Sequence, residues 1–410
     1  MIRFIHSADW QLGARFRQFG AKGETLRQAR LQTLRRALEL ARKHEVDAFL
    51  IAGDLFEDNQ VEESLVASVV ASFGEFPSVP VYILPGNHDP ISGPESVWRR
   101  KAFRHPPANV HVLMEPGVTS LGAGAFLLAS PLSQKSSTID PSLKLATLAA
   151  DLPPESTKIG ITHGALAIES KHQPNDFPIA LNAATRAGLD YLAIGHWHSW
   201  LHGTDSARIH MPGTPEPDQF GQEGSGHVAL VEIGARPLPP KIERLPVATL
   251  QWRSLIFDFL SLEASNARTD STLAELLPNA AQVVLRITLT GTVSPLLLQE
   301  TRAHLEEAVR PFLVGQILDH TTVALTAAEL DDLRLRHPIL AQVLADIDRL
   351  ETLATGVAGA VPVENEERPL TLSEAQQILA ESKIDLASLP PEFFTKLRQV
   401  LLQTLQEVAE

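Results

Sequence analysis

Val79-Pro80-Val81-Tyr82-Ile83-Leu84-Pro85-Gly86-Asn87-His88-Asp89 is the stretch whose reading decides the fold. An apolar run that ends in a Gly turn and then presents an amide, an imidazole and a carboxylate in succession is a poor way to fill a core. It is a good way to build a site: Asn and His each offer a lone pair to a cation, and His can also pass a proton. The same arrangement recurs along the chain. Ile2–Ile5 reads as a short strand leading into Ser7-Ala8-Asp9-Trp10-Gln11, and Asp47–Ala52 as a buried strand ending in Gly53-Asp54. Lys158–Thr162 ends at His163, and Leu189–Ile194 ends at Gly195-His196-Trp197-His198.

Between these strands lie helical spacings over Thr25–Lys43 and Glu62–Phe73. Further strands are expected over 110–113, 124–128 and 226–233. Strands alternating with helices, with polar residues at the carboxyl ends of the strands, predict an α/β fold whose ligand sits at that edge. Near residues 234–240 the composition turns Pro-rich, so a first domain is placed at 1–245. A small α/β domain follows over 246–353, with strands expected at 252–259, 282–289 and 321–325, a helix at 295–313 and a helical extension. A linker composition over 354–370 leads to a C-terminal helical segment, 371–410, with helices at 373–381 and 391–408.

The chain has 410 residues, 44% hydrophobic and 20% charged, which is the composition of a globular protein with a real core. It has no Cys, so thiolate metal sites and disulfides are excluded and any metal must sit on His, Asp, Glu, Asn or Gln. No signal-like segment opens the sequence and no apolar run reaches the roughly 18 residues of a membrane span, so no membrane partner and a cytoplasmic location are expected. The net charge of −14 argues against a generic polyanion binder. The charge is uneven, however: residues 1–110 hold 14 Lys and Arg against 13 Asp and Glu, and residues 245–410 hold 12 against 23. Nucleic acid is therefore expected to meet the N-terminal part.

Taken singly, each strand-end residue has a structural explanation. A lone Asp is usually a turn or N-cap residue, and Asn87-His88-Asp89 could form an Asx turn. Five such ends together supply enough nitrogen and oxygen ligands for two divalent ions. Asp9 with Gln11, and His196 with His198, are each spaced to point the same way on an extended segment. Two ions roughly 3.5–4 Å apart clamp the attacking and leaving oxygens of an in-line phosphoryl displacement.

These motifs, together with Gly53-Asp54-Leu55-Phe56-Glu57, Thr162-His163-Gly164 and Pro212-Gly213-Thr214-Pro215-Glu216, resemble the calcineurin-like metallophosphoesterase superfamily. Within it they are similar to the DNA double-strand-break repair nuclease branch, whose bacterial members are the SbcD and YhaO types. The resemblance implies a two-sheet metallophosphoesterase sandwich flanked by helices, followed by a small capping domain and C-terminal helices. It implies that Asp54 bridges two ions, with Asp9 and His198 on the first and Asn87, His163 and His196 on the second. His88 would be the general acid or charge stabiliser, oriented by Asp89. The ions would be manganese, with magnesium as the alternative. DNA, a second copy of the chain, and a coiled-coil ATPase of the SbcC or YhaN type gripped by the C-terminal helices would be the partners. One departure is clear: position 11 is Gln where the family usually has His, so the first ion would receive an amide oxygen, a weaker and harder ligand.

The resemblance thus implies a metal-dependent DNA exo- or endonuclease. A phosphodiesterase acting on nucleotides or small diesters, or a weakly active scaffold for an ATPase, are the alternatives. Arg15, Arg17, Arg99 and Arg100 are candidates for substrate phosphate, with a solvated surface as the alternative. His6, His105, His111 and His172 lack paired ligand spacing and are read as structural.

Overall fold

In the computed structural model the described residues are 1–323, apart from 169–172, 206 and 237, together with 343, 346 and 347. The linker and the two C-terminal helices expected beyond 354 lie outside them, as do His172 and almost all of 326–353. The chain divides into two compact units. The first comprises Met1–Arg253 with Ala281–Val284; the second begins at Ser254 and takes the remainder.

Twelve strands of the first unit form two sheets. They are β1 (Ile2–Ser7), β2 (Ala48–Ala52), β3 (Val81–Leu84), β4 (Val110–Val112), β5 (Gly117–Gly122), β6 (Ala125–Ser130), β7 (Thr157–His163), β8 (Tyr191–Gly195), β9 (Leu201–Thr204), β10 (Ile209–Met211), β11 (His227–Ile233) and β12 (Lys241–Pro246). The first sheet runs β12-β11-β1-β2-β3-β4 and the second β5-β6-β7-β8-β10-β9. Parallel pairing joins β1 to β4 in the first sheet and β6, β7, β8 and β10 in the second. Antiparallel strands close one edge of the first sheet, at β11 and β12, and both edges of the second, at β5 and β9.

Side-chain alternation along these strands builds a layered sandwich. On β2, Ala48, Leu50 and Ala52 face Ala129, Ile159, Ile161 and Ala193 of the second sheet, in a core between the sheets. The intervening Phe49 and Ile51 join a core with α1 (Gly23–Lys43) and α2 (Glu63–Gly74). On β8, Tyr191 and Ala193 point inward, whereas Leu192 and Ile194 face α4 (Leu143–Ala150) and α5 (Ala183–Arg186) on the outer side; α3 (Lys101–Arg104) lies between β3 and β4 in the chain. The central strands are covered on both faces, which is why they read as continuous apolar runs. α1 buries Leu26, Ala29, Leu34, Leu38 and Ala41, at helical spacing, and the chain turns left-handed at Glu45 (φ 49°) just beyond its end.

Four strands go beyond the expected set: β5, β9, β10 and β12. Three of them are edge strands, and β5 alternates half-buried and exposed residues, so it lacks the apolar run that marks a central strand.

Apart from Gln251–Arg253 and Val283–Val284, which fall in the first unit, β13 (Gln251–Asp258), β14 (Val283–Val293) and β15 (Val314–Val323) belong to the second unit and form one sheet, with α6 (Leu262–Leu276) and α7 (Pro295–Val309) in the same unit. α6 carries no clear signal in the sequence because its buried positions, Ser265, Thr269, Leu273 and Leu276, are half polar, which hides the apolar period. α7 opens with Ser294 capping the Leu297 N–H and with Pro295 in its first turn; it stops at Val309, just before Pro311, rather than reaching 313. β15 begins at Val314, earlier than expected.

Leu50 is fully buried between the two sheets. Leu50→Ala is expected to lower stability by about 2–5 kcal/mol in urea unfolding, the usual cost of a large buried truncation. A loss below about 1 kcal/mol would show that the two sheets are not packed against each other as described.

Candidate metal centre

The carboxyl ends of β1, β2 and β3 in one sheet and of β7 and β8 in the other all deliver polar residues to one place. The segments after β1 and β2 are zipped together by their backbones. Asp9 N–H donates to the Gly53 carbonyl (3.1 Å), Gln11 N–H to Asp54 (3.1 Å) and Leu12 N–H to Leu55 (3.0 Å). Asp9, Gln11, Asp54 and His196 all have positive φ, at 55°, 44°, 52° and 124°. Such backbone persists only where surrounding bonds over-determine it, and it concentrates at functional sites. Gly86 is required for a different reason: a Cβ there would lie 2.1 Å from Asp54 Oδ1.

The buried Asp54 carboxylate lies at the middle of the cluster. Its Oδ1 accepts the His88 backbone N–H (2.9 Å), and its Oδ2 accepts the Gln11 side-chain amide (3.1 Å) and lies 3.3 Å from His163 Nε2. His163 Nε2 also lies 2.8 Å from Asn87 Oδ1, which in turn is 3.1 Å from His196 Nδ1. Both oxygens of Asp9 accept the His196 backbone N–H at 3.0 Å. Ligand atoms of Asp9, Asp54 and His163 all fall within 4.8 Å of one another.

A shell of residues behind this cluster fixes its imidazoles. His163 Nδ1 bonds the Ala52 carbonyl (2.8 Å), leaving Nε2 to face Asn87 and Asp54. His196 Nε2 bonds Asp176 (2.8 Å). His198 Nδ1 meets the Gln222 amide (2.8 Å) and lies 3.4 Å from Asp218. The stretch Pro212–Glu216 holds the histidine loop from behind: Thr214 N–H donates to the His198 carbonyl (3.0 Å). Glu216, in turn, accepts from Thr249 and Thr33, while the buried Arg30 guanidinium clasps the carbonyls of Glu216 (2.9 Å) and Trp10. The sequence alone singles out none of Asp176, Asp218, Gln222, Arg30 or Thr33. Only Glu216 carries a signal there, as the end of the Pro-Gly-Thr-Pro-Glu motif.

Two expectations are corrected. Asp89 does not orient His88: its carboxylate accepts the backbone N–H groups of Phe56 (3.0 Å) and Gly86 (2.7 Å), locking the loop after β3 onto the loop after β2. His88 is oriented instead by the Glu57 carbonyl, 2.9 Å from its Nδ1. Arg100 is not available to a substrate phosphate, because its guanidinium is taken up by the carbonyls of Val61 and Asn59. Arg15, Arg17 and Arg99 are exposed. His6, which sits on β1, bonds the Tyr191 hydroxyl (2.9 Å) across the inter-sheet core, and burial lowers its pKa. His111 stacks on Tyr82; His105 is exposed.

The electrostatics are those of a cation site. Burial would raise the Asp54 carboxyl, but His163 outweighs this and holds it well below the usual range. Burial would likewise lower His163, yet Asp54 and Asp9 bring it up to about 9. Burial and the Asp54 charge push Asp89 up to about 7. His198 and Asp218 form a second pair: burial is overcome in both, His198 being raised and Asp218 brought down to about 2. The fit to a divalent ion can be tested on Gln11. It is buried, its amide nitrogen serves Asp54, and its Oε1 has no hydrogen-bond partner among the described residues. An unmatched buried carbonyl oxygen costs about 1–3 kcal/mol, and a hard cation held by Asp9 and Asp54 would offset that. The residues present fit the group.

Residues 2–200 match the calcineurin-like phosphoesterase family. The chain carries a calcineurin-like metallophosphoesterase domain. The family is one of metal-dependent hydrolases, and the enzyme class of this chain follows from it. The chain is similar to the uncharacterized metallophosphoesterase YhaO of Bacillus subtilis, at 23% identity over 75% of this chain and 76% of that one. It is 30% identical to SbcD, a component of the SbcCD nuclease of Rhodobacter capsulatus, over 30% of this chain and 29% of the relative. It is 26% identical to a DNA double-strand break repair protein of Methanopyrus kandleri, over 53% and 50% of the two chains. The metallophosphoesterase domain thus matches the last two over half their length or less. Among the described residues no helix is long and apolar enough to cross a membrane.

Because His163 must lose its proton to bind a cation, metal affinity should rise with pH from below neutrality to about 9 and level off above it. Calorimetric titration of Mn2+ in buffers of different ionisation enthalpy should show proton release on binding at pH 7. Affinity that is flat between pH 6.5 and 9 would show that Asp54 and Asp9 do not hold His163 protonated in the metal-free site.

Proposed function

We propose that this chain is a metal-dependent DNA exo- or endonuclease, working through two divalent ions held by Asp9, Gln11, Asp54, Asn87, His163, His196 and His198. The observation that carries the reading is the convergence of Asp54, Asn87 and His163 within hydrogen-bond reach beside an imidazole, His88, that is fixed by the Glu57 carbonyl. When bound, the ions supply positive charge to the phosphate oxygens and acidify the attacking water. Asp54 Oδ2 faces both sides of the cluster, Gln11 on one and His163 on the other, and would be the oxygen shared between them. Asn87 and His163 hold one edge, with His196 steadied by Asp176; Asp9, Gln11 and His198 hold the other. With Nδ1 committed to Glu57, His88 presents Nε2 to the phosphate and can give its proton to the leaving oxygen or neutralise developing charge.

DNA as the substrate is supported by two of the relatives, a nuclease and a DNA double-strand break repair protein, and by the less acidic N-terminal part of the chain. Exposed Arg15, Arg17 and Arg99 remain candidates for contact with the phosphate backbone. Manganese is proposed because the oxygen-rich set at Gln11 favours a harder ion than zinc. A second copy of the chain and a coiled-coil ATPase, the latter gripped by the C-terminal segment 371–410, complete the proposed assembly.

Purified protein should cleave linear DNA with Mn2+, alone or with its ATPase, and lose the activity to a chelator. Absence of cleavage in both settings, with both ions demonstrably bound, would sink the proposal. His88→Ala should lower kcat by about 10²–10⁴-fold while leaving two ions bound, as expected for a group that acts on charge in the transition state. Gln11→His should tighten the weaker ion in calorimetry. A Gln11→His protein with unchanged metal affinity would show that position 11 is not a ligand.

A further inference from the structure

We propose that the cavity beside the metal centre seats the nucleobase attached to the phosphate under attack. This deepens the phosphodiesterase reading and rests on it. The cavity has a volume of about 730 Å³ and lies between the segment His196–Leu201 and the loop 219–223. Two of its lining residues, His196 and His198, are proposed metal ligands, so a phosphate held on the ions has its own nucleoside at the cavity mouth. That volume lies within the range of small-molecule sites and accommodates a base with its sugar.

The chemistry of the walls selects the base rather than the phosphate. No Lys or Arg lines the cavity, and Glu223 adds a negative charge, so an anionic backbone is disfavoured inside it. The walls instead offer aromatic rings and neutral hydrogen-bonding groups. Trp197 lies between the two histidines and is half-buried. Its fellow aromatics already hold other partners: the Arg244 guanidinium covers Trp200 at 4.5 Å, and Phe220 packs edge-on to Trp252 at 4.9 Å. Trp197 packs on one side against the outer core of the second sheet and, being half-buried, keeps surface at the cavity wall, so it is assigned as the stacking platform: every base has a π-face and stacking of this kind tolerates any sequence. The exposed amide of Gln219 and the Ser199 hydroxyl provide both donors and acceptors for a base edge. Gln222 is already bonded to His198 and Asp218, so it sets the floor of the cavity and ties its shape to the histidine loop.

The test is direct binding to the manganese-loaded protein, which needs no turnover. Thymidine 5′-monophosphate should bind at least about tenfold more tightly than 2-deoxyribose 5-phosphate, which carries the same phosphate and sugar without the base. Trp197→Ala should reduce that ratio to near one, Trp197→Phe should retain most of it, and both should keep their metal content. The wild-type comparison stands even if Trp197→Ala does not fold. Equal affinities of the wild-type protein for the two ligands overturn the proposal. DNA cleavage without base discrimination rejects the base seat alone, whereas base discrimination without DNA cleavage supports the seat and rejects the nuclease reading.

Discussion

The structure of the site depends on the burial of one carboxylate. Asp54 is removed from water at the end of β2, and an ionised carboxylate in such a place must be matched by donors or positive charge on every side. The fold supplies these from three separate segments: a backbone N–H from the loop after β3, a side-chain amide from the loop after β1, and an imidazole from β7 in the opposite sheet. Each of these groups is held by its own backbone or by a second carbonyl. The glycines at 53 and 86 are needed because a Cβ at either would collide with His163 or with Asp54. Satisfying a single anion therefore fixes the relative positions of four chain segments.

The same residues explain why the sequence is readable here. Ligand-type residues at strand ends are local features: an apolar run, a Gly, then Asp, Asn or His. The layered α/β fold is legible for the same reason, since central strands buried on both faces advertise themselves as apolar runs. Partnerships between distant segments leave no such trace. Asp89 follows His88 in the chain, and adjacency suggests that it orients the ring, but its acceptor sites are used by Phe56 and Gly86. The group that orients the ring is a carbonyl, and every residue has one. Asp176, Asp218 and Gln222 sit in loops of no particular pattern, some 20 residues or more from the histidines they steady. Arg30 lies on the buried stripe of α1, where a charged residue reads as a flaw in the periodicity unless the carbonyls of Trp10 and Glu216 are known to await it.

Position 11 illustrates how a departure from a family pattern is absorbed. A histidine there would bring a nitrogen lone pair and a second aromatic ring against Asp54. Glutamine instead splits its amide, giving the nitrogen to Asp54 and leaving the oxygen unmatched. The left-handed backbone at residues 9 and 11 is imposed by the bonds to Gly53 and Asp54, and it places these two side chains irrespective of which ligand type stands at the second position.

The division of the cluster between two sheets has a mechanical consequence. Asp9, Gln11, Asp54 and Asn87 belong to one sheet; His163, His196 and His198 belong to the other. Between the sheets lies a core built chiefly of apolar side chains, whose contacts resist separation strongly but sliding only weakly, because dispersion and burial carry no direction. A cation gripped from both sides would act as a rivet across that interface. Loading the site would then couple the two sheets and resist the sliding of one over the other.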